Sequence, residues 1–481
     1  MGLGAVFLGT FLGIFVGAVP GLTGTMLIAL TLPLTYGADA QHAMTLLISI
    51  YVGAVSGGMI TATLLRMPGT PASMVTTLDG YPMAQQGKPE RALALGVMSS
   101  FVGGLISWFF LVMLAAPIAQ LSTRFGPFEY FSLVMMALVL IASIGGKSLS
   151  RSLLAGFLGI FISMPGLVAA TGQPRLTFGF TELNDGFQLL PVLIGLFAVN
   201  QILSEIIKDT PVPRSIELKS SSAWMSLGDL KKSAINLLRS SVIGTWIGIL
   251  PGIGANIGSV TAYAVARNSS PEPEKFGTGH EEGIVAAEAA NNATIGGALI
   301  PLISMGLPGS VVEAVLLGAL VIHGLQPGPR LFGDSPGIVY TIMAAMFLAN
   351  LAMLLIMGRS MRFLSKLALI PKSLLLPVIL AFCVVGSYAL ANRIFDVWVM
   401  LAFGLIGLFL DHKRIPLAPF VLGFVLWPIA EENLSAGLMA TNGNWLPIIT
   451  RPLSLLFLVI AGILLGAPGI RRRIARKEVQ Q

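Results

Sequence analysis

Apolar positions run almost unbroken through this chain, and charges gather at the ends of the apolar runs and seldom inside them. Residues 43–65, 93–116, 153–170, 340–357 and 374–391 carry no charge, and each stretch is long enough, or nearly so, to cross the hydrocarbon core of a bilayer. With shorter and interrupted runs included, that length criterion gives roughly 11 to 13 membrane segments. Helices satisfy their own backbone in lipid, so the pattern predicts an all-α polytopic membrane protein.

Several runs interrupt themselves. Pro-Gly pairs stand at Pro20-Gly21, Pro68-Gly69, Pro251-Gly252 and Pro308-Gly309, and each is expected to end one half-helix and start another, or to form a re-entrant hairpin. The interruptions repeat in register. Gly13, Gly17, Pro20 and Gly21 fall on Gly244, Gly248, Pro251 and Gly252, and Gly57-Gly58 precedes Pro68-Gly69 much as Gly296-Gly297 precedes Pro308-Gly309. The chain reads as two homologous halves, parallel or inverted.

Broken helices at membrane depth leave free N–H and C=O groups, which is how many transporters build a midplane site. The N-terminal ends suit a carboxylate. The substrate-binding candidates are therefore Gly21, Thr23, Gly24, Thr25, Gly69, Thr70, Gly252, Gly254, Asn256, Asn291, Asn292, Gly309 and Ser310. Hydroxyl and amide oxygens are hard ligands, so Thr25, Asn256, Asn291 and Thr294 are the candidates for a coupling cation. The bland alternative for each is a helix kink or a helix-to-helix hydrogen bond of about 1 kcal/mol. Glu288 and Glu313 lie closest to the second set of breaks and are candidate proton or cation carriers, although Glu313 also suits the first turn of a helix. Arg66 is either a partner for a substrate carboxylate or a span-end arginine.

Composition agrees with this reading. The 481 residues are 55% hydrophobic and 11% charged, with mean hydropathy +0.85. The net charge of +7 comes from basic residues at span ends, which is the positive-inside pattern and not a nucleic-acid patch. That rule places the polar linker 208–239, the segments 359–372 and 411–414, and the basic tail 471–481 in the cytoplasm. It leaves a first transmembrane repeat at 1–207 and a second at 240–470. The acidic loop 269–282 would then lie on the opposite side, provided that 244–266 crosses once. Residues 1–19 lack a basic start and read as a retained span, not a signal peptide. The single cysteine, Cys383, reads as a buried inert thiol, and the four histidines have no metal-ligand spacing. No hydrolase, metalloprotease or phosphate-binding motif is present, so a catalytic role is not expected. The rivals are an intramembrane enzyme using Glu288 or Glu313, and a passive organic-anion channel.

The segments Pro251-Gly252-Ile253-Gly254-Ala255, Glu288-Ala289-Ala290-Asn291-Asn292-Ala293, Pro308-Gly309-Ser310 and His323-Gly324-Leu325-Gln326-Pro327-Gly328-Pro329 resemble stretches of the large membrane subunit of the tripartite tricarboxylate transporters. Pro68-Gly69-Thr70-Pro71-Ala72-Ser73 and Leu78-Asp79-Gly80-Tyr81-Pro82-Met83-Ala84 in the first half match equally well. The resemblance implies a multi-pass protein of the bacterial inner membrane, a secondary transporter importing a tricarboxylate or related organic acid. It implies two protein partners, a periplasmic solute-binding protein and a small membrane subunit. It also implies symport with sodium or protons and no cofactor. The family has a further apolar segment ahead of its first glycine-rich one, where this chain opens on Gly2-Leu3-Gly4, and it has other residues at Arg66, Met67 and Glu313. Arg66 and Glu313, opposite charges near two tips, would suit a substrate with an amine as well as a carboxylate.

Overall fold

The computed structural model describes residues 2–144, 148–168, 171–208, 216–218, 224–251, 254–367, 369–389 and 391–478. Helix α1 (Leu3–Ala18) stops before Pro20, and α2 (Gly24–Thr31) restarts with Thr23 as its N-cap. A 3₁₀ turn, Leu32–Thr35, leads to α3 (Ala40–Leu65), which closes on Arg66 in the left-handed conformation. Beyond Pro68-Gly69 come the 3₁₀ turn Pro71–Met74, α4 (Thr76–Gln85) and α5 (Pro89–Ser122). Next are α6 (Pro127–Ile144), α7 (Leu149–Ser163) and a small antiparallel hairpin of β1 (Gly166–Leu167) and β2 (Pro174–Arg175). The charge-free run 153–170 is therefore not one span. The helix ends at Ser163 with Met164 as its C-cap, because Pro165 has no N–H to continue the ladder.

The chain continues through α8 (Leu189–Leu193), a π-helical turn Ile194–Val199, α9 (Asn200–Lys208) and the short α10 (Leu227–Lys232). Then α11 (Ala234–Ile249), α12 (Gly254–Asn268), α13 (Glu281–Met305), α14 (Val311–Ile322) and α15 (Pro329–Asp334) form the second set of breaks. The last helices are α16 (Pro336–Leu367), α17 (Lys372–Ala389), α18 (Ile394–His412), α19 (Leu417–Ala440), α20 (Pro447–Thr450) and α21 (Pro452–Glu478). Among the described residues, seven helices are long and apolar enough to cross a membrane, and shorter apolar helices accompany them. The fold is all-α and polytopic, as the hydrophobic pattern predicts.

α13 is not among those seven, yet its 25 residues give a rise of about 37 Å. Every residue from Gly283 to Ser304 is buried. A helix that meets protein on all sides has no need of the hydropathy that lipid demands, so α13 carries Glu288, Asn291 and Asn292 at its middle.

The chain divides into two compact units, each discontinuous in sequence. One comprises 1–119 and 190–408, the other 120–189 and 409–481. In the smaller unit α19 packs on α6 and α7, and α21 on α6. Gly159 lets α7 approach Phe420, Ser132 and Ser454 share a hydrogen bond of 2.7 Å, and Arg175 on β2 pairs with Glu431.

In the larger unit, small residues set the distances between helices. A methyl group at Gly13 or Gly17 would stand 2.3 Å from Ile50 O or 2.2 Å from Ala54 O, so α1 and α3 touch backbone to backbone and run parallel. The same geometry recurs with Gly244 against Ala290 O and Gly248 against Thr294 O, so α11 and α13 are parallel neighbours as well. Gly57 meets Ile14 O as Gly297 meets Thr245 O, so the contacts pair Gly57 with Gly297, one position later than the aligned glycine pairs suggest.

α12 runs back along α13: Gly258 lies on Thr294, while Ser259 donates to Ala287 O. α11 and α12 therefore form a hairpin with both ends on one face. At that face Asn236 and Ser233 bond Glu282, and Arg91 pairs with both Asp229 and Glu281. The Arg91 guanidinium holds the Asp229 carboxyl well below the usual carboxylate range. This corrects the expectation that 244–266 crosses once. The acidic loop 269–282 and the end of the linker lie on the same face, because charges in loops carry no information about re-entrant turns.

Candidate functional site

The four Pro-Gly breaks come together around the middle of α3 and α13. α4 pairs with α13 in antiparallel fashion: Met83 faces Gly279, Asp79 faces Gly283 and Thr76 hydrogen-bonds Glu288. Because α4 continues onward past the end of α3, with Ser73 near Gly58 and Gly80 near Thr63, α3 and α13 run in opposite directions. They are joined where Ser56 Oγ donates to Asn292 Oδ1 at 2.7 Å.

Each tip folds back onto the hairpin of its own set. Gly69 donates to Gly58 O at 3.3 Å, and a methyl there would stand 1.9 Å from Gly17 O. Gly309 lies over Gly248 O and Ala298 in the same manner. Arg66 and Gly306 both cap their helices with positive φ, of 57° and 72°. Across the sets the packing is crosswise: α2 packs on α14, and α12 packs on the turn Pro71–Met74.

The expected site residues fall into distinct roles. Thr23, Thr70 and Ser310 are N-caps whose hydroxyls accept from Met26 N, Ser73 N and Val312 N. Gly24 sits against Ala54, Gly254 opens α12 with φ +70°, and Thr25 is half-buried. Asn256 is exposed on α12, away from the buried centre. Gly252 lies outside the described residues. Thr294 is buried, with its hydroxyl donating to Asn291 O at 2.6 Å. Asn292 bridges α3 and α13, its Nδ2 also donating to Glu288 O. Asn291 is fully buried beside the Glu288 carboxylate, with no hydrogen bond of good geometry at either amide atom.

The two carboxylates expected here, Glu288 and Glu313, are present, and Tyr51, Asp79 and Glu205, to which the sequence reading assigned no role, stand with them. Tyr51 donates to Glu313 Oε1 at 2.5 Å, both groups being buried, while Glu313 Oε2 has no partner. Glu288 is fully buried and takes hydroxyls from Thr76 and Ser100. Asp79 accepts from Gly277 N, Gly279 N, His280 N and Tyr263 OH, and so fastens the loop before α13 to α4. Glu205 on α9 packs directly on Gly21, whose φ of +92° leaves room for it, and pairs with Lys372. An acid at the end of a long apolar run was the available signal for Glu205. A tyrosine in an apolar run gives no such signal.

Arg66 and Glu313 are not a pair. Arg66 is exposed and lies over the Tyr81 ring, whereas Glu313 is buried against Tyr51. Cys383 is buried, and among the described residues no group of histidine, cysteine and carboxylate side chains could hold a metal ion.

A family model described as the tripartite tricarboxylate transporter TctA family matches residues 3–422. A protein of Agrobacterium vitis, described only as an uncharacterized 52.8 kDa protein in the TAR-I ttuC' 3' region, is 33% identical over 471 residues, covering 97% of this chain and 93% of its own. A second from the same organism, in the TAR-II ttuC' 3' region, is 34% identical over 233 residues, or 48% of this chain and 96% of its own. Among solved structures, the transmembrane domain of a cyanobacterium bicarbonate transporter, BicA, matches with a TM-score of 0.21 and 14% identity, covering 86% of this chain and 96% of that one.

Proposed function

The chain belongs to the tripartite tricarboxylate transporter TctA family, and from that premise we propose that it is the large transmembrane subunit of a binding-protein-dependent secondary transporter. It imports a carboxylate by symport with a cation, sodium or proton, in company with a small membrane subunit. The single observation that carries this reading is the crosswise packing of the segments that follow the helix breaks, α2 on α14 and α12 on the turn Pro71–Met74, together with the fully buried polar side chains Glu288, Asn291 and Asn292 of α13. Polar and ionisable groups buried at membrane depth are costly and mark the path of a solute or ion.

The two sets of breaks support a reading as inverted halves, since α1 and α3 run against α11 and α13. Inverted halves give alternating access around a fixed central site. Arg91, Lys231, Lys232, Arg239, Arg359 and Arg362 lie toward the face that carries the linker, and the positive-inside rule makes that face cytoplasmic in a bacterial inner membrane. The opposite face, with the 35–42 turn, then meets the periplasmic binding protein. Docking opens the site only if that protein binds one state more tightly than the other.

The test is uptake of labelled lactate, succinate, citrate and glutamate into proteoliposomes holding the chain and its small subunit, with and without binding protein, under sodium or proton gradients. Accumulation that needs both protein and gradient is expected. Equilibration without a gradient means a channel, and no movement of any solute rejects the transporter role. Asn291→Ala should abolish uptake and leave membrane insertion intact; normal uptake by that variant removes Asn291 from the site.

A further inference from the structure

Glu313 is a buried carboxyl to which the transporter reading gives no task. It stands just past the Pro308-Gly309 tip, in the first turn of α14, and is fully buried. Tyr51 OH of α3 donates to it at 2.5 Å and the Ser310 hydroxyl lies beside it, so it joins the two sets of breaks through uncharged groups alone. The elements packed on α14 are α2, α3 and α13. α2 has no titratable side chain. On α3 only His42 and Tyr51 can ionise, and His42 is exposed beside Asp39 at the start of the helix. On α13 Glu281 and Glu282 are held at the linker face by Arg91, Ser233 and Asn236, while Glu288 is held by Thr76 and Ser100. Because Ser56 meets Asn292 between antiparallel helices, Glu288 lies on the linker side of that contact, and Tyr51 with Glu313 on the other. α14 itself ends at His323, which bonds Thr35 O at the face of the 35–42 turn. Among the described residues, no lysine, arginine or histidine faces Glu313.

Such a setting suits one form of the carboxyl. An ionised carboxylate buried without a counter-charge costs several kcal/mol even after relaxation, and the dipole of α14 offsets at most about 2 kcal/mol of that. A protonated carboxyl is neutral and keeps its bond from Tyr51. A hard metal cation takes a shell of about six oxygens, whereas the side chains around Glu313 add only two hydroxyls. We infer that Glu313 carries the coupling proton, so that the cation of this symporter is H+ and enters bound to that side chain. The inference rests on the transporter reading above and names its ion. Only an O–H bond forms and breaks: the proton comes from water on the side of the 35–42 turn, toward which α14 runs, and leaves to water on the linker side. Protonated, Glu313 lets the two sets close on each other; ionised, it needs water and holds them apart.

Proteoliposomes of wild type and of Glu313→Gln, with the small subunit and the binding protein, are loaded with a trapped pH dye and given the same four labelled solutes. Glutamine keeps the shape and still accepts from Tyr51, but it carries no proton. For the solute that wild type accumulates, an inward proton gradient of about one pH unit in sodium-free buffer should drive roughly tenfold accumulation per proton carried, and adding the solute should acidify the lumen. Glu313→Gln should only equilibrate the solute and leave the lumen pH unchanged, while it still exchanges unlabelled solute inside for labelled solute outside. Wild-type accumulation that needs sodium and does not acidify the lumen overturns the proton assignment and leaves the transporter role standing, whether or not the variant folds. Accumulation by Glu313→Gln under the proton gradient overturns it as well, as does loss of exchange in a variant whose melting temperature in detergent matches that of wild type. A wild-type protein that moves none of the four solutes under any gradient overturns both.

Discussion

Tyr51 and Glu313 show how little of a buried contact can be read from residue types alone. Glu313 stands in the first turn of α14, where an acid complements the helix dipole. In the structure it is also fully buried, held by the Tyr51 phenolic O–H and by Ser310 at the N-cap. Replacing the phenol takes from a desolvated carboxyl its donor on α3, so Tyr51→Phe should destabilise the protein by about 1–3 kcal/mol, read as a lower unfolding midpoint in detergent. An unchanged midpoint would mean that Glu313 finds another donor. Asn291 is the opposite case, a polar group whose burial was legible from its place among apolar neighbours but whose surroundings were not. Its helix carries no record of what lies across from it.

At the scale of the element, proline and glycine did most of what can be done from sequence. All four Pro-Gly pairs fall between helices, because proline lacks the N–H that a continuing helix needs and glycine tolerates the turn that follows. Arg66, with φ 57°, takes the left-handed cap that Gly306 takes elsewhere, a conformation that an arginine rarely adopts. Glycines inside the helices have a different task. Gly244 brings α11 onto Ala290, where an added methyl would stand 2.3 Å from a carbonyl oxygen. Gly244→Ala should therefore cost about 1–3 kcal/mol of stability through overpacking, measured by thermal unfolding. Gly4, which has open space around it, is the control expected to tolerate alanine. The run 153–170 carries no charge yet leaves the helix at Ser163, because Pro165 cannot donate to the ladder.

For the whole molecule the deciding question is on which face each loop lies. In a Cys383→Ser background, Lys232→Cys and Ser269→Cys should react with an impermeant maleimide from the same side of a sealed membrane, and Ala38→Cys from the other. Labelling of positions 232 and 269 from opposite sides would restore a single crossing for α11 and α12. The sequence by itself determined that this is a helical membrane protein, where its helices break, and which residues recur in two sets. Those properties follow from hydropathy, from the missing amide hydrogen of proline and from spacing along the chain, all of which are local. Only the tertiary structure decided that α11 and α12 turn back, that α3 and α13 run in opposite directions, and that Ser56 meets Asn292 while Tyr51 holds Glu313. A re-entrant hairpin and a crossing helix present the same apolar run to lipid or protein. What distinguishes them is which distant backbone their glycines meet.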